Sequence, residues 1–90
     1  MAATQVLSVA AGAATSNDIV VADGAHLTIG LNGVTNTGAH VVMEVKDPSG
    51  GYIYSGSELT SATPMATVVT PMTFRFRRLP TSSACGVFTA

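Results

Sequence analysis

Three arginines stand close together near the end of the chain, and they form the most concentrated chemical feature of the sequence. The stretch Met72–Leu79 holds Arg75, Arg77 and Arg78, which are three of the four basic residues. An arginine guanidinium is a planar group of N–H donors that pairs bidentately with carboxylates and is favoured at protein interfaces. We therefore predict that these arginines bind acidic groups of a partner protein.

Two tyrosines, Tyr52 and Tyr54, are further candidates for a partner interface. Tyrosine rings stacked beside arginines would also suit single-stranded nucleic acid, which binds through bases on aromatic faces and phosphates on cations. However, the net charge is −1 and only one lysine stands elsewhere, so the chain has no broad basic groove. Nucleic acid is not expected as a partner, and a merely solvated charged strand face remains the ordinary alternative to an interface.

The histidines and the cysteine do not form a catalytic or metal-binding pattern. His26 and His40 each begin a predicted strand and lack a third ligand at a suitable position, so we expect no metal site. The single cysteine, Cys85, excludes an intrachain disulfide and a cysteine-based zinc site. No local motif pairs Cys85 with a base, and we expect a small buried side chain there.

The carboxylates are better explained as structural groups than as catalysts. Asp18, Asp23 and Asp47 each stand beside turn-forming residues, where an aspartate bonds nearby backbone amides. Gly50–Gly51 lacks the lysine and the helix that follow a phosphate-binding loop. The chain is therefore predicted to be no enzyme and to bind no cofactor.

Composition indicates one β domain over residues 1–90. The chain is 47% hydrophobic but only 10% charged, compared with about a quarter charged in a typical soluble domain. Much of its surface must therefore be neutral, which suits contact with other protein.

Residues 1–14 have no basic start and an interrupted apolar run, so we interpret them as mature chain rather than a signal peptide. No stretch reaches the roughly 20 apolar residues that cross a bilayer, and no membrane partner is expected.

The elements that position these residues are short strands. With a side-chain period of two, Met72, Phe74 and Phe76 face the core while Thr73, Arg75 and Arg77 face outward. A continuous apolar run precedes Asp23–Gly24–Ala25 and an alternating run follows it, which predicts a hairpin of 19–22 with 26–31. Asp47–Gly51 predicts a second hairpin, between His40–Lys46 and the strand that begins at Tyr52.

The sequence of the second half of the chain predicts further features. Ser55–Pro64 is polar and small, so we expect a long connection between two sheets, with Leu59 reaching the core. A β-branched run, Thr67–Thr70, ends at Pro71, which indicates an edge or a kink. A last strand follows at 84–89. The whole pattern predicts a single-domain antiparallel β-sandwich, Greek-key or jelly-roll-like, with about seven or eight short strands.

The later half of the chain resembles small β-sheet structural proteins of tailed bacteriophages, among them capsid decoration or cement proteins. The resemblance is carried by Asp47–Tyr52, Leu59–Thr60, Phe74–Pro80 and Cys85–Phe88. It implies a non-enzymatic role in the virion, on the capsid surface after synthesis in the host cytoplasm. The expected partner is the major capsid protein or another virion protein, bound by a small homo-oligomer that reinforces the shell. The alternative from another class is a carbohydrate-binding or adhesive module that stacks sugars on Tyr52 and Tyr54.

Overall fold

The computed structural model describes residues 3–68 and 71–90, and within these ranges every regular element is a strand. The nine strands are β1 Thr4–Ala10, β2 Ala14–Thr15, β3 Ile19–Val21, β4 Leu27–Asn32, β5 His40–Lys46, β6 Tyr52–Thr60, β7 Met65–Val68, β8 Met72–Arg78 and β9 Cys85–Thr89. The prediction of an all-β chain is confirmed.

The strands form two antiparallel sheets that pack face to face. Sheet A has the order β1-β9-β4-β7, and sheet B has the order β2-β8-β5-β6, with β3 following β2 along the same side of β8. Side chains from both sheets share one buried cluster. The molecule is therefore a β-sandwich, as the sequence predicted.

Strand β8 lies inside sheet B and supplies the centre of the core. It pairs with β5 on one side and with β2 and β3 on the other. Phe74 and Phe76 are fully buried, and their rings meet edge to face at 5.4 Å between centroids and 87° between planes. Thr73, Arg75 and Arg77 lie on the opposite face, so the predicted alternation is confirmed.

The first predicted hairpin is wrong. A turn does form, with the Ala25 amide donating to the Ala22 carbonyl over 3.1 Å. However, β3 pairs with β8 in sheet B, whereas β4 pairs with β7 and β9 in sheet A. The turn therefore carries the chain from one sheet to the other, because the buried faces of β3 and β4 are opposed across the core.

The second predicted hairpin is confirmed, but its return strand is longer than expected. Strand β6 continues to Thr60, so most of the predicted 55–64 connection is strand; Leu59 is buried within it. A register shift interrupts the ladder beside Gly56, whose φ is +87°. The Ser55 hydroxyl donates to the Met43 carbonyl over 2.8 Å and holds this bulge against β5.

One additional strand raises the count to nine within the described residues, and part of one predicted strand cannot be compared. Strand β2 has only two residues in a run of small side chains, and the sequence pattern missed it. Strand β7 ends at Val68, and the last two residues of the predicted run, Val69 and Thr70, lie outside the described residues.

We predict that Phe76→Ala lowers the free energy of unfolding by about 3–5 kcal/mol, because it removes a fully buried ring and leaves a cavity. Thr73→Ala, on the outward face of the same strand, should cost less than about 1 kcal/mol. Chemical denaturation of both variants measures the difference. Equal losses would contradict the assignment of the two faces of β8.

Candidate functional site

The outward face of sheet B collects most of the charged and aromatic candidates, and we call it the charged face. The strand register sets Glu44 beside Arg75 on β8 and beside Tyr54 on β6, while Lys46 lies opposite Tyr52. The charged face consists of Asp18, His40, Glu44, Lys46, Tyr52, Tyr54, Glu58, Arg75 and Arg77. It therefore brings together Arg75, Arg77, Tyr52 and Tyr54, four of the five predicted interface residues.

Glu44 binds both outward arginines. Arg75 Nε donates to Glu44 Oε1 over 2.9 Å, and Arg77 Nε donates to Glu44 Oε2 over 3.1 Å. The carboxylate is only 12% exposed. This burial raises the Glu44 pKa, but the hydrogen bonds and charges of the two arginines outweigh it, and the net pKa is lowered. Both arginines therefore bind a carboxylate of their own chain, and their binding to acidic groups of a partner protein stays a prediction.

Tyr52 lies beneath Arg75 and is anchored by Asp18. The Arg75 guanidinium carbon lies 3.5 Å from the Tyr52 ring centroid, which is a cation–π contact. The Tyr52 hydroxyl donates to Asp18 Oδ1 over 2.6 Å, and Lys46 Nζ lies 3.4 Å from Asp18 Oδ2. The Tyr52 hydrogen bond lowers the pKa of Asp18, and the same bond raises the pKa of Tyr52.

A second polar cluster occupies the β6 side of the charged face. His40 Nε2 and Glu58 Oε2 are 2.7 Å apart, and the Tyr54 hydroxyl donates to the same Glu58 oxygen over 3.4 Å. The bond to His40 lowers the pKa of Glu58. Desolvation, followed by the Glu58 charge, raises the pKa of Tyr54, although this side chain remains 55% exposed.

Arg78 does not belong to this face, and grouping it with Arg75 and Arg77 as a surface residue needs correction. Because side chains alternate along β8, Arg78 points to the same side of the sheet as Phe74 and Phe76, and it is only 4% exposed. Nε donates to the Gly12 carbonyl over 2.7 Å, and Nη1 donates to those of Ser8 and Cys85 over 2.9 and 2.6 Å. Arg78 therefore ties the β1–β2 segment and β9 to β8.

The remaining candidates have structural positions. Asp47 Oδ1 accepts bonds from the amides of Ser49 and Gly51 and from the Ser49 hydroxyl, so its predicted turn role is confirmed. These bonds, led by the Ser49 side chain, lower its pKa. Asp18 instead binds side chains across the charged face, which corrects its assignment as a turn residue. Cys85 is fully buried, as predicted.

Within residues 3–68 and 71–90, no group of three histidine, cysteine or acidic side chains is placed to hold a metal ion. No helix of this part of the chain could span a membrane.

The outward face of sheet A is a second surface, which site prediction from individual residues missed. The four strands of sheet A contain no Asp, Glu, Lys or Arg. We call their outward side the neutral face; it consists of Gln5, Thr28, Gly30, Asn32, Met65, Thr67, Gly86 and Phe88. The absence of charge from all four predicted strands was the available signal.

Glycines keep the neutral face flat. A Cβ atom at Gly30 would lie 2.8 Å from Phe88 Cζ, so the ring lies over the Gly30 backbone. The Gln5 and Asn32 side-chain amides exchange hydrogen bonds of 2.8 and 3.0 Å beside Gly86, where an added Cβ would come within 2.6 Å of Gln5 Nε2. Side chains can therefore lie along the sheet rather than project from it.

Comparison of the chain with protein-family models, with curated proteins and with solved structures finds no match.

The lowered pKa of Glu44 predicts an acid-sensitive contribution to stability. A carboxylate whose folded pKa lies below its ordinary value near 4.5 stabilises the fold above that value and loses the effect as the pH falls through the folded pKa. Glu44→Gln should therefore lower the melting temperature at neutral pH, and this deficit should shrink as the pH falls below 4.5 and through the lower folded pKa.

The control for this measurement is Asp23→Asn, which removes a carboxylate from the exposed turn between β3 and β4. Its melting temperature should stay close to that of the parent across the same pH range. A Glu44→Gln curve that runs parallel to the parent curve at every pH would contradict the prediction.

Arg78→Leu should lower the free energy of unfolding by about 3–5 kcal/mol, because it leaves buried carbonyls without their charged donor. Arg77→Leu removes the same charge from a side chain that is 42% exposed, and it should cost less than about 1 kcal/mol. Denaturant titration compares the two. Equal stabilities would contradict a structural role for Arg78.

Proposed function

We propose that this chain is a non-enzymatic structural protein that binds and reinforces an ordered protein assembly. The resemblance in its sequence supports a tailed-phage capsid as that assembly and a capsid decoration or cement protein as its class. The major capsid protein, or another virion protein, is then the partner. The neutral face is the surface that supports this proposal best.

The observation that carries the proposal is the separation of charge between the two sheets. Charged side chains are concentrated on the outward face of sheet B, while sheet A presents neutral amides, hydroxyls, glycines, Phe88 and Met65. The centres of protein interfaces are depleted in charged residues because an imperfectly paired charge is costly to desolvate. The neutral face can therefore be covered by another protein without burying an ion.

The size of the molecule is compatible with such a contact. Its principal extents are 35, 31 and 19 Å, so the molecule is broader than it is thick. A standard interface buries roughly 800 Å² of each partner, which fits within the broad face of the sandwich. One face can thus dock on a shell while the charged face stays hydrated.

The charged face supports a second, smaller contact. Arg75 and Arg77 each use Nε for Glu44, and the outer edge of a guanidinium can still bind a carboxylate of a neighbouring subunit. Because the charges of Arg75, Arg77 and Lys46 are balanced by those of Asp18, Glu44 and Glu58, this contact would add specificity more than affinity.

The carbohydrate-binding alternative has weaker support. A sugar stacks on an open aromatic face, but one side of the Tyr52 ring is covered by Arg75. Tyr54 is 55% exposed, and its hydroxyl bonds Glu58. The paired platform that this function needs is therefore reduced to one ring.

Thr28→Lys should weaken attachment to shells assembled without the chain by at least about tenfold, because an isolated ammonium buried at an interface costs several kcal/mol. Thr28 lies on the neutral face. Val20→Lys adds the same charge to an outward β3 position that is 72% exposed, and it should bind like the parent. Occupancy on purified particles and thermal melting of the free chain are measured together.

Shells that bind none of the parent chain would overturn the proposed function. If Thr28→Lys binds normally and Arg77→Ser does not, the docking surface is the charged face instead.

A further inference from the structure

A cleft opens between the two sheets on the side where β6 and β7 form their edges. It has a volume of about 190 Å³. The large apolar side chains that line it are Ile29, Met43, Leu59, Val68, Met72 and Phe76. Its lining is thus largely apolar, and it comes from five different strands.

The chain forms an arch beside this cleft. Strand β6 is an edge of sheet B, strand β7 is an edge of sheet A, and residues 61–64 join them. Thr60 and Thr63 exchange two backbone hydrogen bonds of 3.2 Å and close the tip of the arch. The cleft therefore lies between two sheet edges rather than in the middle of a covered core.

We propose that the cleft receives one apolar side chain from an extended segment of the partner protein, and that this segment pairs with the free edge of β6. This inference rests on the proposed function, and it names the feature of the partner that the chain recognises. It places the contact at the border of the neutral face, because β7 contributes residues both to the cleft and to the neutral face.

The size and lining of the cleft determine which side chain fits. A dry apolar cavity of about 150 Å³ holds one benzene molecule, so about 190 Å³ accommodates one leucine, methionine or phenylalanine side chain. A charged side chain is disfavoured because it would lose water against six large apolar residues. The polar residues of the lining are Ser57, Glu58 and Thr67, and the Glu58 carboxylate is already bonded to His40.

The edge of β6 accounts for the extended form of the segment. At nine residues it is the longest strand, and within the described sheets it pairs only with β5. Six of its residues in succession, 53–58, are exposed. An added strand gains main-chain hydrogen bonds from such an edge, and its alternate side chains reach pockets below the sheet.

The first test asks whether the cleft admits a ring. Toluene, which mimics a phenylalanine side chain, is titrated into the free chain carrying ¹³C-methyl methionine. The Met43 and Met72 methyl signals should shift and saturate, whereas that of Met65, on the neutral face, should not. Toluene that leaves Met43 and Met72 unchanged, or shifts all three alike, would overturn the inference.

The second test fills the cleft and measures attachment to shells. Ala66 lines the cleft, and Ala66→Leu should abolish the toluene shifts and lower the affinity for shells at least about tenfold. Ala62→Leu, at an exposed position of the arch tip outside the lining, should change neither. If melting shows that Ala66→Leu is unfolded, Ser57→Phe closes the cleft from an exposed position.

The outcomes separate this inference from the proposed function. A parent chain that does not attach to shells overturns the proposed function and the inference with it. A filled cleft with normal attachment overturns only the inference, and the neutral face remains the docking surface.

Discussion

The edge-to-face packing of Phe74 and Phe76 is the contact on which the sandwich depends. Both rings project from β8, which pairs on both of its sides, so their burial fixes β5 and the β2–β3 segment at the same time. Rings this large leave few alternative packings in a chain of 90 residues, since small domains bury only about 60% of their unfolded surface. The same strand then directs Arg75 and Arg77 outward, because successive side chains point to opposite faces.

The sequence predicts best where one face of a strand is apolar and the other is polar. This pattern predicted the orientation of β8 and, together with the turn at 47–51, the β5–β6 hairpin. Leu59 was predicted to reach the core for another reason, as the only large apolar residue of a polar stretch. It failed at Ala22–Ala25 because turn residues determine that the chain reverses, but not whether the flanking strands pair or lie in opposite sheets. It also failed at Ser55–Thr60, where small polar residues form an edge strand that needs little hydrophobic support.

Arg78 shows how residue type and position along a strand can conflict. Its charge suggested a surface position beside Arg75 and Arg77, whereas the alternation of side chains on β8 places it on the buried side with Phe74 and Phe76. The buried position is stable because backbone carbonyls of Ser8, Gly12 and Cys85 converge on the guanidinium. These carbonyls come from residues 7 to 70 positions away in the chain, so their convergence could not be predicted from a local pattern.

The charge pattern of the sandwich follows from which groups can find partners within the chain. On sheet B, carboxylates and cations lie on adjacent strands and satisfy one another, so that face is stable in water without a partner. On sheet A, hydrogen bonds between Gln5 and Asn32 satisfy the neutral amides locally, and Phe88 lies along a glycine instead of standing free. A partner covering sheet A would displace water without separating an ion pair, whereas one covering sheet B would have to desolvate the pairs that hold it. This difference in desolvation cost, rather than hydrophobicity alone, is the reason that sheet A is the docking side in the function that we propose.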